Sequence, residues 1–196
     1  SGRFNAYNLS TVYAILKESG LPSDEILPVL SQLKGAEGRF EKIIHPITKT
    51  CAIVDYAHTP DALDNVLQTI LQTKYDTQNI ITVIGCGGDR DKAKRPKMAQ
   101  IAASLSSRVV LTSDNPRSED PEKILDDMEA GLKNKNADHV LRMVDRKQAI
   151  KTAIALSRDR DIILVAGKGH EKYQDIKGEK FLFDDKEIIR NEFNRT

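Results

Sequence analysis

The sequence predicts a mixed α/β fold, a mostly parallel sheet with helices on both faces. Three observations carry that expectation. From about Gly38 onward, short runs rich in β-branched residues alternate with segments of helical periodicity. The runs are apolar almost without interruption, the pattern of strands buried on both faces. Proline falls near the start of three of the intervening helices, at Pro60, Pro96 and Pro121, where its missing N–H is tolerated.

The elements follow in order. In the first 38 residues, Leu9, Val12, Tyr13 and Leu16 recur at helical spacing and Gly20 ends that helix. The stretch LPSDEILPVLSQLKG offers a second short helix with Leu27, Leu30 and Leu33 as its apolar positions. Two such helices cannot bury their faces alone, so they read as part of a larger element or as a small cap. Strands are expected at CAIV (51–54), IITVI (80–84), RVVL (108–111), HVLRMV (139–144) and IILVA (162–166). Between them lie four helical faces: Ala62, Leu63, Val66, Leu67 and Ile70; Met98, Ile101, Ala102 and Leu105; Ile124, Leu125 and Met128; Ala149, Ile150, Ala153 and Ile154. KFLF (180–183) and a short helix from about Asp185 close the chain.

Composition narrows the function. The 196 residues are 39% apolar and 30% charged, with a formal net charge of +1, which gives no argument for a nucleic-acid or membrane partner. Aromatic residues are scarce and Trp is absent, so a base-stacking surface is not expected. Without a transmembrane stretch or a secretory signal pattern, the expectation is a cytoplasmic protein. Cys51 and Cys86 have no partner at metal-ligand spacing and read as reduced thiols, and no metal site is expected.

The chemistry collects after the strands, in DYAHTPD, GCGGDRDKAKRP, TSDNPR, DRKQ and GKGHEKYQD. In a parallel sheet these segments emerge at one edge, where open α/β sheets bind ligands. Asp55, His58, Arg90, Lys92, Asn115, Arg117, Gly167, His170 and Glu171 should therefore converge on one rim. Each segment also has a plainer reading. GCGGDRDK matches neither the dinucleotide fingerprint nor the GxxxxGK[ST] phosphate loop; its glycines could expose amides to an anion or simply turn. Arg90, Lys92, Lys94 and Arg95 beside it suit a carboxylate or phosphate, or a solvated charged turn. Asp55 and His58 could make local hydrogen bonds only, and no Ser or Cys accompanies them as nucleophile. Gly167 could admit a ligand to the backbone and Glu171 could pair with an ammonium, or both could belong to a surface turn. In DNPR, the Arg117 fork suits a carboxylate while Asp114 and Asn115 offer acceptors, a combination fit for a zwitterionic amino acid. Ser118 to Pro121 reads as turn and helix start.

Six ordered motifs, GRFN..N, EGRFE, VDYAHTPDAL, GCGGDRDK.KRP, DNPR and AGKGHE, resemble the Mur ligases over essentially the whole chain, and those that add meso-diaminopimelate most closely. The resemblance implies a Rossmann-like C-terminal amino-acid-binding domain over 39–196, preceded over 1–38 by a remnant of a central ATPase domain. It implies an ATP-dependent amide ligase of peptidoglycan biosynthesis. Such an enzyme transfers the γ-phosphate of ATP to the carboxylate of UDP-MurNAc-L-Ala-D-Glu and lets the amino group of meso-diaminopimelate attack the acyl phosphate. ATP and Mg2+ would be held mainly by the central domain, whose GTNGKT-like phosphate loop is absent from this sequence. The chain alone is accordingly expected to lack ligase activity and to be monomeric.

Carried over position by position, Asn5 and Asn8 resemble residues near the adenine. Arg39, Asp55, Tyr56 and His58 resemble the domain's nucleotide contacts. Lys92 is similar to a lysine that reaches the reacting phosphate region, and with His58 it forms the implied catalytic set. Arg90 and Arg117 would clamp the two carboxylates of diaminopimelate, and Asp114, Asn115, Gly167 and Glu171 would hold its polar groups. Ala93 departs from the glycine frequent in relatives, with little expected consequence. Two other readings fit the motifs less fully: a lysine-adding or other Mur or folylpolyglutamate-type ligase domain, and a non-catalytic module that binds an amino acid or nucleotide.

Overall fold

In the computed structural model, which describes residues 3–33, 36–132 and 138–195, six strands of the described residues form one sheet. They are β1 (Glu41–Ile44), β2 (Cys51–Asp55), β3 (Ile80–Ile84), β4 (Arg108–Leu111), β5 (Val140–Arg142) and β6 (Ile162–Ala166), in the order β1-β2-β6-β3-β4-β5. β2 to β6 run parallel to their neighbours, and β1 pairs antiparallel with β2, Glu41 opposite Val54 and Ile44 opposite Cys51. The antiparallel edge strand was not expected. EKII is short, charged at its start and half-exposed in alternation, so it lacks the continuous apolar signature of its neighbours. The expected strand over 139–144 forms ladder pairs only over Val140–Arg142, and its side chains are half-buried or exposed, as befits the other edge.

The parallel strands bury both faces because their side chains alternate between two cores. Ile53, Ile80, Ile84, Val109, Leu111 and Leu164 point to one side. There α3 (Pro60–Thr73), α4 (Lys94–Leu105) and α5 (Pro121–Glu129) supply Leu63, Leu67, Met98, Ala102, Ile124 and Met128. Val54, Ile81, Val83, Val110, Ile163 and Val165 point to the other side. They meet α6 (Arg146–Leu156) and α7 (Asp185–Phe193) through Ala149, Ile150, Ile189 and Phe193. The helix starts are fixed locally. Thr59 accepts from the Ala62 amide ahead of Pro60, and Asp120 accepts from Glu122 ahead of Pro121.

Strand order places the ligand edge. The chain steps outward from β3 to β5, then returns to insert β6 between β2 and β3. That reversal opens a crevice at the carboxyl ends of β2, β6 and β3, where Asp55, Ala166 and Ile84 end their strands. The segment expected as a final strand, KFLF, instead belongs to a separate antiparallel hairpin of β7 (Tyr173–Ile176) and β8 (Glu179–Leu182). Its two-residue turn, Lys177 and Gly178, has positive φ at both positions, 53° and 82°, the geometry that matches strand twist.

Residues 1–36 form one compact unit and residues 37–196 another. In the first, α1 (Arg3–Glu18) ends before Gly20, whose φ of 91° turns the chain into α2 (Ser23–Gln32). Tyr13 and Ser23 share a hydroxyl hydrogen bond of 2.9 Å. The inward face of α2 differs from expectation. Ile26 is buried and Leu30 half-buried, one helical turn apart, whereas Leu27 and Leu33 are exposed. None of the helices described is long and apolar enough to cross a membrane.

Candidate functional site

The loop after β3 and the loop after β4 are packed into each other, and small residues make this possible. A Cβ on Gly85 would lie 2.4 Å from the Thr112 carbonyl oxygen, and one on Gly88 would lie 1.9 Å from that of Pro116. The glycines therefore serve close approach. The Gly88 and Asp89 amides are taken up within the protein, Gly88 N–H donating to the Asn115 carbonyl and Asp89 N–H to Glu119. Gly87 clears space for two arginines: a Cβ there would sit 2.8 Å from an Arg117 guanidinium nitrogen and 3.8 Å from Arg90 Cγ. Each fork hangs from one of two consecutive carbonyls, Arg117 on Gly88 at 2.8 Å and Arg90 on Asp89 at 3.0 Å. Arg117 adopts φ of 51°, a left-handed conformation held by the hairpin: its N–H donates to Asp175, and its carbonyl accepts from Lys177.

Behind the arginines, the DN pair and the GKGHE turn share one buried cation. Lys168 is 0% exposed, and its Nζ lies 2.9 Å from Asn115 Oδ1, 3.4 Å from Asp114 Oδ1 and 3.6 Å from Glu171 Oε2. Asn115 Nδ2 donates to Glu171 at 2.9 Å, while its Oδ1 also accepts the Asp175 amide. Gln174 donates to the Asp114 carbonyl. Gly167, at φ of 112°, brings its backbone so near Asp114 that a Cβ would meet Oδ2 at 2.7 Å. The expected Asp114, Asn115, Gly167 and Glu171 are thus gathered into one cluster. Asn115 is occupied by protein partners at both ends of its amide, so it holds the cluster rather than reaching outward.

Tyr56 links this cluster to a second group. Its hydroxyl donates to Glu171 at 3.3 Å, and burial with the neighbouring Glu171 charge raises its pKa. The Arg39 guanidinium lies over its ring at 4.9 Å, and the rings of His58 and His170 stand 4.6 and 5.2 Å away. His58 Nδ1 is 2.9 Å from the Tyr56 carbonyl oxygen, and the His58 carbonyl accepts Lys94. Arg39, Tyr56 and His58 therefore form a cationic and aromatic platform beside the acceptor cluster.

Other expected residues lie apart from it. Asp55 is buried and accepts the Phe40 amide at 2.7 Å; burial pushes its pKa up, against the pull of that amide, Arg39 and the Ala57 amide. It holds the EGRFE turn, where Phe40 has φ of 50°, and does not face solvent. Lys92 is 67% exposed and paired with Glu119 at 3.3 Å, away from His58's own contacts. Asn8 is exposed on α1 in the first unit, and the Asn5 side chain lies outside the described residues. Burial pushes the Cys86 thiol up to about 12 and raises Cys51, as inert thiols behave. Among the described residues, no group of three His, Cys, Asp or Glu side chains could hold a metal ion.

The profile of the family described as "Mur ligase, glutamate ligase domain" matches residues 38–169. The chain belongs to the Mur ligase family. A relative from Cytophaga hutchinsonii is named UDP-N-acetylmuramoyl-L-alanyl-D-glutamate--2,6-diaminopimelate ligase. It is 56% identical over 189 residues, 96% of this chain and 38% of that protein. One of the same name from Parabacteroides distasonis is 55% identical over 193 residues, 98% of this chain and 40% of that protein. The chain therefore spans well under half the length of the curated relatives it matches. A solved structure of a ligase with that name aligns with a TM-score of 0.75 at 39% identity, over 99% of this chain and 39% of that one. UDP-N-acetylmuramate-alanine ligase from Thermotoga maritima shares the fold, with a TM-score of 0.66 at 21% identity over 100% of this chain and 38% of that one.

Within this Mur ligase domain, three features escaped the motif reading. Lys168 stands between two glycines and looked like a surface turn; only its burial reveals it. Ser118 and Glu119 are more than a turn. Ser118 binds the Asp89 carboxylate through Oγ and N–H, and Glu119 grips both terminal nitrogens of the wholly buried Arg95. Arg95 is therefore structural, with Asp127 as its second partner. Arg146 and Asp185 form a buried bidentate pair at 2.9 and 2.8 Å that ties α6 to α7. A weak signal existed for Glu119: it lies two residues beyond Arg117, in the same loop as the proposed fork.

Proposed function

We propose that this chain is the amino-acid-binding domain of an ATP-dependent ligase that adds meso-diaminopimelate to UDP-MurNAc-L-Ala-D-Glu. The observation that carries the reading is the pairing of two kinds of subsite at one rim. Arg90 and Arg117 flank Gly87 and suit carboxylates, while the Asp114 and Glu171 oxygens behind them suit an ammonium. Diaminopimelate carries both groups at its far end, and lysine carries only the ammonium. The names of the 55–56% identical relatives agree with that reading.

The chemistry asked of these residues is positioning. ATP supplies an activated acyl phosphate on the peptide carboxylate, and the incoming amine needs only to be held uncharged and aligned for attack. Fixing the distal end of diaminopimelate leaves its reacting amino group as the mobile end to be aimed. The Arg39, Tyr56 and His58 platform suits an anionic or aromatic portion of the nucleotide, being cationic at one edge and flat at another. ATP and Mg2+ are assigned mainly to the region of the longer protein outside this chain, while Asn5 and Asn8 of this chain are placed near the adenine by family resemblance. Lys92 would have to leave Glu119 to serve the reacting phosphate.

Arg117→Ala in a full-length protein carrying this chain tests the fork. A lost charge-assisted pair is worth about 1.5–3 kcal/mol, so the KM for diaminopimelate should rise roughly 10- to 100-fold with little change for ATP. An unchanged KM removes the clamp. Steady-state comparison of meso-diaminopimelate with L-lysine decides the substrate, and a preference for lysine overturns the reading.

A further inference from the structure

We propose that Lys168 is a positioning residue that sets the ammonium subsite: a buried internal cation that fixes the charge and orientation of Asp114, Asn115 and Glu171 without touching the substrate. The inference rests on the proposed function and extends it to a residue that no motif singled out.

Three observations support it. First, Lys168 is fully buried, so its ammonium faces protein acceptors and not solvent. Second, its three N–H donors face three acceptors, Asn115 Oδ1 at 2.9 Å, Asp114 Oδ1 at 3.4 Å and Glu171 Oε2 at 3.6 Å, with the Tyr173 ring 5.6 Å away. Third, the charges add to a net of one. Two carboxylates, Asp114 and Glu171, lie within reach of one ammonium, Lys168. The buried Arg146 that also acts on them is neutralised by its own pair with Asp185, which leaves the set one negative charge for one incoming ammonium. Without Lys168 the carboxylates would repel each other across the pocket. Asn115 would also lose a donor that keeps its Oδ1 turned inward and its Nδ2 on Glu171. The cluster would then be free to rotate or spread, and its grip on a cation would weaken.

The test is Lys168→Met in a full-length protein carrying this chain, with KM values measured for each substrate. The amino-acid KM should rise about tenfold or more, while those for ATP and the nucleotide-linked peptide stay within about twofold. A merely structural lysine would move all three together. Inhibition by 2-aminopimelate, which keeps both carboxylates but lacks the distal ammonium, supplies the second readout. Its inhibition constant should change by less than about threefold, because Lys168 acts only through the ammonium acceptors. Lys168→Arg keeps the buried charge and covers the case in which the methionine variant does not fold. Its planar fork cannot reproduce a compact three-acceptor centre, so the same selective rise is expected at smaller size. An amino-acid KM within about twofold of wild type in either folded variant overturns the proposal, as does an equal penalty for 2-aminopimelate. Should the wild type prefer L-lysine, the same comparison is made between L-lysine and norleucine. The substrate assignment can then fail while the role of Lys168 is still decided.

Discussion

Glu119 shows how one side chain can hold a functional loop without facing a ligand. It accepts from both terminal nitrogens of Arg95, from the Asp89 amide and from Lys92, and the Arg95 guanidinium above all holds its carboxyl down at about 2. Because the folded pKa lies below the ordinary 4.5, this contribution is complete above pH 4.5 and is lost as pH falls towards 2. Glu119→Gln should lower stability at pH 7 by about 1–3 kcal/mol. It should also flatten the fall of the urea midpoint between pH 5 and 2.5, relative to wild type. Equal slopes in the two proteins would remove Glu119 from the acid response. Spacing made Arg117 legible as a candidate fork, since DNPR combines a guanidinium with acceptors, and that role is a proposal. Lys168 was illegible, and Glu119 offered only its place in the DNPR loop, because their roles depend on what surrounds them in space.

At the scale of elements, the β7–β8 hairpin is the least expected part of the fold and the one that positions Arg117. It donates the Lys177 amide to the Arg117 carbonyl at 2.7 Å and receives the Arg117 amide on Asp175 at 3.0 Å. Lys177→Pro removes that donor and cannot adopt the positive φ the turn requires. On the proposed function, in a full-length protein carrying this chain it should raise the diaminopimelate KM several-fold and leave the ATP KM unchanged. An unaltered diaminopimelate KM would detach the hairpin from the site. The parallel strands and helices α3 to α6 were readable from their apolar patterns, with local side-chain caps at α3, α5 and α6. The edge strand β1 and the strand β7 were not, and β8 was legible only as the strand expected at KFLF, without its pairing. Their side chains are half-buried to exposed, those of β8 exposed throughout, and pairing partners rather than hydrophobic runs define them.

Across the larger unit, residues 37–196, the second face of the sheet depends on one buried ion pair. Arg146 at the start of α6 grips Asp185 at the start of α7, and also donates to the Ala166 carbonyl at the end of β6. Removing one member leaves a buried charge uncompensated, so Asp185→Ala should cost about 3–5 kcal/mol. Urea denaturation of wild type and variant measures this; a loss below about 1 kcal/mol would make the pair dispensable.

The sequence by itself determined the α/β class, the helix starts, the family resemblance and the set of loops that meet at the sheet's carboxyl edge. These follow from period, capping and chain order, which act over a few residues or along a repeating pattern. Only the tertiary structure decided which polar residues are tied into the protein frame and which stand around Gly87. Asp55, Arg95 and Asn115 turned inward to backbone or side-chain partners, whereas Arg90 and Arg117 stand around Gly87. The physical reason is desolvation. A buried charge must find its counterpart wherever the fold brings one, and those counterparts lie 24 to 54 residues away in the chain for Arg95–Glu119 and Lys168–Asp114.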